Sequence, residues 1–88
     1  SVDAKSLSIK GRVLFYEKKY SEALDFLLRA LKLLENDAVI NDYLGDTYYF
    51  LSQISKASDF WLKAKLLGSK NDFLDQKINT KTYHEALY

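Results

Sequence analysis

Residues 11–34 read GRVLFYEKKYSEALDFLLRALKLL, and residues 45–68 read GDTYYFLSQISKASDFWLKAKLLG. The second stretch repeats the first, and the match extends over residues 4–37 aligned with residues 38–71. Nine of these 34 positions are identical, whereas ordinary composition predicts roughly two or three identities. The identical pairs are Ala4 and Ala38, Gly11 and Gly45, Ser21 and Ser55, Ala23 and Ala57, Asp25 and Asp59, Phe26 and Phe60, Leu28 and Leu62, Ala30 and Ala64, and Leu33 and Leu67. The chain is therefore predicted to contain two copies of one structural unit.

Helices are the predicted elements of each unit. The chain contains no proline and three glycines, and its apolar residues recur at steps of three and four. This pattern predicts an all-α fold. The predicted helices cover about residues 4–17, 21–34, 38–51, 55–67 and 72–78, with one more turn over 82–88.

Capping residues mark the predicted helix ends. Ser21 and Ser55 are predicted to cap the second helix of each unit, and the Asn36-Asp37 pair precedes the third helix. Asn71 or Asp72 is predicted to cap the fifth helix. Gly68 lies where a left-handed residue would end the fourth helix.

Small residues indicate where the predicted helices meet. Gly11 and Gly45 lie inside the first helix of each unit, where a glycine costs roughly 1 kcal/mol relative to alanine. We expect another backbone to cross there too closely for a Cβ. The alanines at 23 and 30, and at 57 and 64, are seven residues apart, so each pair shares one helix face.

The composition excludes several classes of protein. The chain has 88 residues, enough for one domain, and 48% of them are hydrophobic. A net charge of +1 argues against nucleic-acid binding, and there is no apolar run of about 18 residues that could insert into a membrane. Cysteine is absent, and His84 is the only histidine. We therefore expect no disulfide, no metal or other cofactor, and no enzymatic activity.

The repeat resembles the tetratricopeptide repeat (TPR) family, whose period is 34 residues. The family's small eighth position falls on Gly11 and Gly45, and its alanines fall on Ala23, Ala57, Ala30 and Ala64. The large residue between the alanines is Leu27 in the first unit and Trp61 in the second. Departures occur at the fourth position (Leu7 and Asn41), the seventh position of the first unit (Lys10) and the closing position (Glu35 and Ser69).

This resemblance implies a right-handed α-solenoid. One repeat would span residues 4–37, a second would span 38–71, and a capping helix and tail would span 72–88. Residues 44–49 and 57–69 are similar to the last repeat of bacterial multi-repeat proteins, many of which are exported and lie in the cell envelope. Because the chain begins Ser1-Val2-Asp3, we expect the terminal part of a larger scaffold.

In this family the first helix of each repeat lines a concave groove. The resemblance implies that Lys5 and Val39 face it, together with the candidate partner-binding residues Ser8, Arg12, Phe15, Tyr16, Asp42, Asp46, Tyr49 and Phe50. Such an aromatic floor suits a peptide or a partner helix. Two alternatives stay open. The rings of Phe15, Tyr16 and Phe50 could simply seal helix contacts, and Asp42 or Asp46 could neutralise Arg12.

The sequence thus predicts a protein–protein interaction module, and the alternative is a purely structural C-terminal cap and homodimerisation element. In the predicted capping helix, Phe73, Leu74 and Ile78 cover Trp61. The opposite side is predicted to be exposed to solvent, and we call it the wet side. The residues on that wet side are Asp72, Asp75, Gln76 and Lys77. The front of the first unit has no such cap, which predicts weak homodimerisation. Its apolar residues are Val2, Leu7, Ile9 and Val13.

Overall fold

Five α-helices make up the fold in the computed structural model, which describes residues 3–85. They are α1 (Ala4–Tyr16), α2 (Tyr20–Leu33), α3 (Ala38–Phe50), α4 (Ile54–Leu66) and α5 (Leu74–Thr80). No strand occurs in the described residues, so the all-α prediction is confirmed. α1 packs on α2 and α3 packs on α4, so each pair forms a hairpin. The two hairpins contact each other mainly through α2 and α3. The start of α3 follows that of α1 by 34 residues, as the start of α4 follows that of α2.

The two joints within the hairpins are built alike. Lys18 and Ser52, which are equivalent in the repeat, both adopt a left-handed conformation, with φ of 63° and 62°. The next amide in each joint closes the turn: Lys19 N donates to Leu14 O, and Gln53 N donates to Tyr48 O, both at 2.9 Å. Each hairpin therefore reverses without a glycine. Neither joint carries a residue that usually signals this conformation.

The helix starts confirm one predicted cap and correct two others. The Asp37 carboxylate accepts a hydrogen bond from Ile40 N at 2.9 Å, as the prediction for the third helix required. The equivalent Asp3 accepts from Ser6 N at 2.8 Å. Ser21 and Ser55 are not caps, because α2 and α4 begin one residue earlier than predicted and both serines lie inside the first turn.

The C-terminal part also departs from the predicted boundaries. Gly68 has a φ of +87° after α4, as predicted. α5 begins at Leu74 rather than at 72, because the Asn71 side chain accepts from Phe73 N at 2.9 Å and forms a turn ahead of the helix. Residues 82–85 are not helical. Residues 86–88 of the predicted last turn, and Val2 of the predicted front, lie outside the described residues.

The predicted close contacts exist. A side chain makes the tightest contact at each glycine, and at Gly11 a Cβ would also lie 3.3 Å from the backbone nitrogen of Leu27. A Cβ on Gly11 would lie 2.7 Å from Leu27 Cγ, and a Cβ on Gly45 would lie 2.5 Å from Trp61 Nε1. Leu27 and Trp61 are the large residues between the alanines, and both are fully buried. The four alanines, at 23, 30, 57 and 64, are also fully buried, so small residues face large ones throughout this core.

Replacing Gly45 with alanine is expected to destabilise the protein by about 1–3 kcal/mol, because the added Cβ would overlap the rigid indole of Trp61. The sign of this change in the free energy of unfolding tests the contact, because replacing glycine with alanine at an exposed helix position stabilises a protein by roughly 1 kcal/mol. Urea unfolding followed by circular dichroism measures the difference in the free energy of unfolding.

The matched control is Gly45→Ala in a Trp61→Leu background. With the indole gone, the added methyl group is expected to be neutral or stabilising. An equal cost in both backgrounds would show that Trp61 is not the neighbour that Gly45 accommodates.

Candidate functional site

A buried lysine connects α5 to α3. The Lys77 side chain is only 1% exposed, and its Nζ donates to Asp42 Oδ1 at 2.6 Å and to Asp46 Oδ1 at 2.8 Å. The sequence placed Lys77 on the wet side of the capping helix, and this prediction is wrong. The amphipathic pattern of α5 missed it because the two acidic partners lie 35 and 31 residues away in the sequence.

Neighbouring donors complete the cluster around the two carboxylates. Trp61 Nε1 donates to Asp46 Oδ1 at 2.9 Å, and Asn71 Nδ2 donates to Asp42 Oδ2 at 2.7 Å. The Lys77 ammonium also lies 5.6 Å from the Trp61 ring centroid, within cation–π range. The cluster of Asp42, Asp46, Trp61, Asn71 and Lys77 therefore ties α3, α4 and the chain after α4 together.

Arg12 is not the counterion of these acids, although the sequence left that alternative open. Its guanidinium carbon lies 5.8 Å from the ring centroid of Tyr43, and it makes no ion pair with a described residue. Lys77 takes the role instead. Arg12 itself is half-buried.

Burial raises the pKa of Asp46 to about 7. The Lys77 ammonium opposes this increase, repulsion from the Asp42 carboxylate adds to it, and hydrogen bonds from Lys77 and Trp61 act against it. One cation between two carboxylates leaves an excess negative charge in a nearly dry site, so an additional proton on the pair is favoured.

A groove runs between α1 and α3 above this cluster and encloses about 460 Å³. We call it the α1–α3 groove. Its lining comes from α1, α3, the chain after α4, and residues 83–85. The lining residues are Arg12, Tyr16, Val39, Asp42, Tyr43, Asp46, Ser69, Lys70, Asn71, Phe73, Lys77, Tyr83, His84 and Glu85.

The predicted groove residues do not all line the same cavity. Arg12, Tyr16, Asp42 and Asp46 line the α1–α3 groove, but both acids are already paired with Lys77. Tyr16 is 60% exposed. Ser8, Val39 and Lys5 line a neighbouring cavity of about 340 Å³, which Arg12 also reaches.

The three remaining predicted rings belong to an aromatic cluster. Phe15 is buried at 4% exposure and packs edge-on against Tyr16, Tyr43 and Phe50, so it seals helix contacts. Phe50 is 38% exposed and stacks on Tyr20 at 4.8 Å. Tyr49 is half-buried and lies 6.1 Å from the Trp61 ring.

Tyr83 is a groove residue that the sequence did not indicate. Its ring lies 5.8 Å from that of Phe15 and 5.1 Å from that of Phe50, and Lys77 Nζ lies 5.7 Å from its centroid. Burial raises the pKa of the Tyr83 hydroxyl, and a hydrogen bond donated to Glu85 Oε2 at 2.8 Å adds to the increase. The only available signal was an aromatic residue in the otherwise polar stretch 79–85.

Neither a cluster of metal-ligating side chains nor a membrane-spanning helix occurs within residues 3–85. No three histidine, aspartate or glutamate side chains within residues 3–85 come together as metal ligands. The ring nitrogen Nε2 of His84 lies 3.0 Å from the hydroxyls of Thr80 and Thr82, at the edge of the α1–α3 groove. A membrane-spanning helix is also absent from this range, since every helix is too short or too polar.

Comparison with known proteins identified no family. The sequence matches no protein-family model, and no curated protein is significantly similar to it.

Replacing Lys77 with methionine is expected to lower the free energy of unfolding by about 3–5 kcal/mol, because it leaves two buried carboxylates without their counterion. Chemical denaturation measures the loss. The matched control is Lys65→Met, which removes the exposed 2.9 Å ion pair with Asp75 and is expected to cost at most about 1 kcal/mol. Equal effects of the two substitutions would contradict the buried cluster.

The raised pKa of Asp46 predicts a pH dependence. An unfolded aspartate titrates at 3.8, and folded Asp46 titrates at about 7, so the folded state binds more protons between these values. The free energy of unfolding should therefore fall as the pH rises from about 4 to about 7. Urea unfolding across this window, compared with Asp46→Asn, isolates the contribution. The variant should lack this fall, and identical pH profiles would refute the assignment.

Proposed function

We propose that the chain is a pair of tetratricopeptide repeats with a capping helix, forming a right-handed solenoid that serves as a protein–protein interaction scaffold. Support comes from two hairpins offset by 34 residues and from small residues packed against Leu27 and Trp61. In this proposal the α1–α3 groove holds a peptide or a partner helix, and the chain is not an enzyme. No nucleic-acid partner is proposed, because the net charge is only +1.

The observation that carries the proposal is an open groove with aromatic and cationic side chains that partners can reach. Tyr16 is 60% exposed, and Arg12 lies beside it on α1 with its guanidinium near the ring of Tyr43. The Tyr16 and Tyr43 hydroxyls are 2.9 Å apart, which fixes the Tyr16 ring. A ring that is already ordered loses little conformational entropy when it binds.

The charges of the groove favour an acidic or neutral partner over a basic one. Asp42 and Asp46 are paired internally, so they are not available to external cations. Arg12 and Lys70 line the groove without an ion pair among the described residues, and Glu85 is the one acid of this lining that no described lysine or arginine pairs. Arg12 can form a forked pair with a carboxylate of a bound peptide.

A second candidate is a structural cap and homodimerisation element. Ile9 and Val13 are 43% and 48% exposed on α1. Their equivalents in the second repeat, Tyr43 and Thr47, are half-buried and fully buried. The face of α1 that a preceding hairpin would cover is therefore open, and a second copy could occupy it.

A peptide-display selection on the wild-type chain tests the first candidate. We expect selected peptides to bind Arg12→Ala and Tyr16→Ala at least about tenfold more weakly, because both side chains line the groove. The matched control is Leu66→Ala, which changes an apolar residue on α4 that is 79% exposed and does not line the groove. Its affinity should stay within about twofold of the wild type.

Peptides that bind all four chains equally would contradict the groove assignment. If the wild type selects no peptide and sediments as a dimer that Val13→Glu dissociates, the result would favour the structural candidate.

A further inference from the structure

The groove already contains a segment of its own chain. After α5, Lys81 adopts a left-handed conformation, with φ of 56°, and the chain turns back toward α1 and α3. We call residues 82–85 the tail segment. It is non-helical, and three of its residues, Tyr83, His84 and Glu85, line the α1–α3 groove.

Tyr83 is the centre of this contact. Its ring lies against Phe15 and Phe50, and the Lys77 ammonium lies 5.7 Å from its centroid. These three groups form what we call the tyrosine socket. The hydroxyl of Tyr83 donates to Glu85 Oε2 at 2.8 Å. The socket therefore surrounds a half-buried aromatic ring, with Phe15 and Phe50 tilted against it and the ammonium over its face.

The tail segment divides a longer channel. A second cavity of about 410 Å³ lies on the other side of Tyr83, lined in part by Lys18, Tyr20 and Phe50. Both cavities share Tyr16, Tyr83 and Glu85 as walls. If the tail segment moved away, the two cavities would form one channel with the tyrosine socket at its centre.

We infer that the tail segment occupies the partner's site, and that the partner is a non-helical peptide that places a tyrosine in this socket, followed two residues later by an acidic side chain. This inference rests on the proposed function and specifies its ligand. The peptide would displace Tyr83 and make the same contacts with Phe15 and Phe50.

The charges along the channel agree with an acidic residue near the tyrosine. Arg12 and Lys70 line one cavity, and Lys18 lines the other. None of these three forms an ion pair with a described residue. Glu85 lines both cavities and forms no ion pair among the described residues, so the acidic residue of a displacing peptide would share each cavity with at least one unpaired cation.

Displacement predicts that the chain's own tail lowers the apparent affinity for the peptide. A segment attached to the same chain competes at an effective concentration in the millimolar range. The apparent dissociation constant is then the intrinsic constant divided by the fraction of chains whose socket is empty. Removing the Tyr83 ring empties the socket and leaves its walls in place.

The experiment measures binding of a fluorescein-labelled peptide, Thr-Lys-Thr-Tyr-His-Glu, which copies residues 80–85. Fluorescence anisotropy compares the full-length wild type, Tyr83→Ala and Tyr83→Phe. We expect Tyr83→Ala to bind at least about tenfold more tightly than the wild type. Tyr83→Phe keeps the ring in the socket and should bind like the wild type. A peptide with alanine in place of its tyrosine should not bind any of the three chains.

A second measurement does not depend on the folding of a variant. Titration of the wild-type chain with the unlabelled peptide should shift the Tyr83 ring resonances as the ring leaves Phe15 and Phe50. Equal affinity for wild type and Tyr83→Ala, or peptide binding without a shift of Tyr83, would overturn the inference. The proposed function fails separately, when peptide display selects no ligand of any sequence.

Discussion

The contact between Trp61 and Gly45 sets the distance between α3 and α4. A side chain as small as alanine at position 45 would overlap the indole, so glycine is what allows α4 to lie this close to α3. From this position the indole Nε1 donates to Asp46, and the ring face lies 5.6 Å from the Lys77 ammonium. The same large-on-small packing recurs at Leu27 and Gly11, where the two nearest atoms are carbons of the Leu27 side chain. Both hairpins thus pack a large residue on a glycine. Among the described residues, only the large residue of the second hairpin also contacts a buried polar cluster.

The buried cluster determines the orientation of α5 and adds little to the net free energy of unfolding. Removing a lysine and two carboxylates from water costs several kcal/mol per ion, and their mutual attraction offsets this cost only when every group is paired. Here Lys77 contacts both acids, and Trp61 and Asn71 supply the remaining donors. These bonds are directional, so they fix the rotation of α5 about its axis. That rotation and the left-handed turn at Lys81 together direct the chain after Thr80 toward Phe15 and Phe50, where Tyr83 packs.

The sequence predicted the elements better than it predicted the site. Helices and their 34-residue offset follow from periodicity, which is local information, and the glycine contacts follow from the repeat. The left-handed turns at Lys18 and Ser52 carried no local signal, because glycine or asparagine normally marks them. Lys77 was assigned to solvent because its partners are distant in the sequence. Asp42 and Asp46 held a usable clue, since two acids one turn apart on a buried helix face require a cation.

Lys77 links the buried cluster to the α1–α3 groove, because it positions α5 so that the tail segment reaches the groove. The most direct test is the ¹H–¹⁵N spectrum of the lysine ammonium groups near neutral pH. A lysine ammonium in water exchanges its protons too fast to be observed. The account predicts one slowly exchanging ammonium signal, assigned to Lys77, with nuclear Overhauser effects to the indole Nε1 proton of Trp61 and the ring protons of Tyr83. If no lysine ammonium is protected and neither contact is observed, the cluster does not exist and the tail has no anchor.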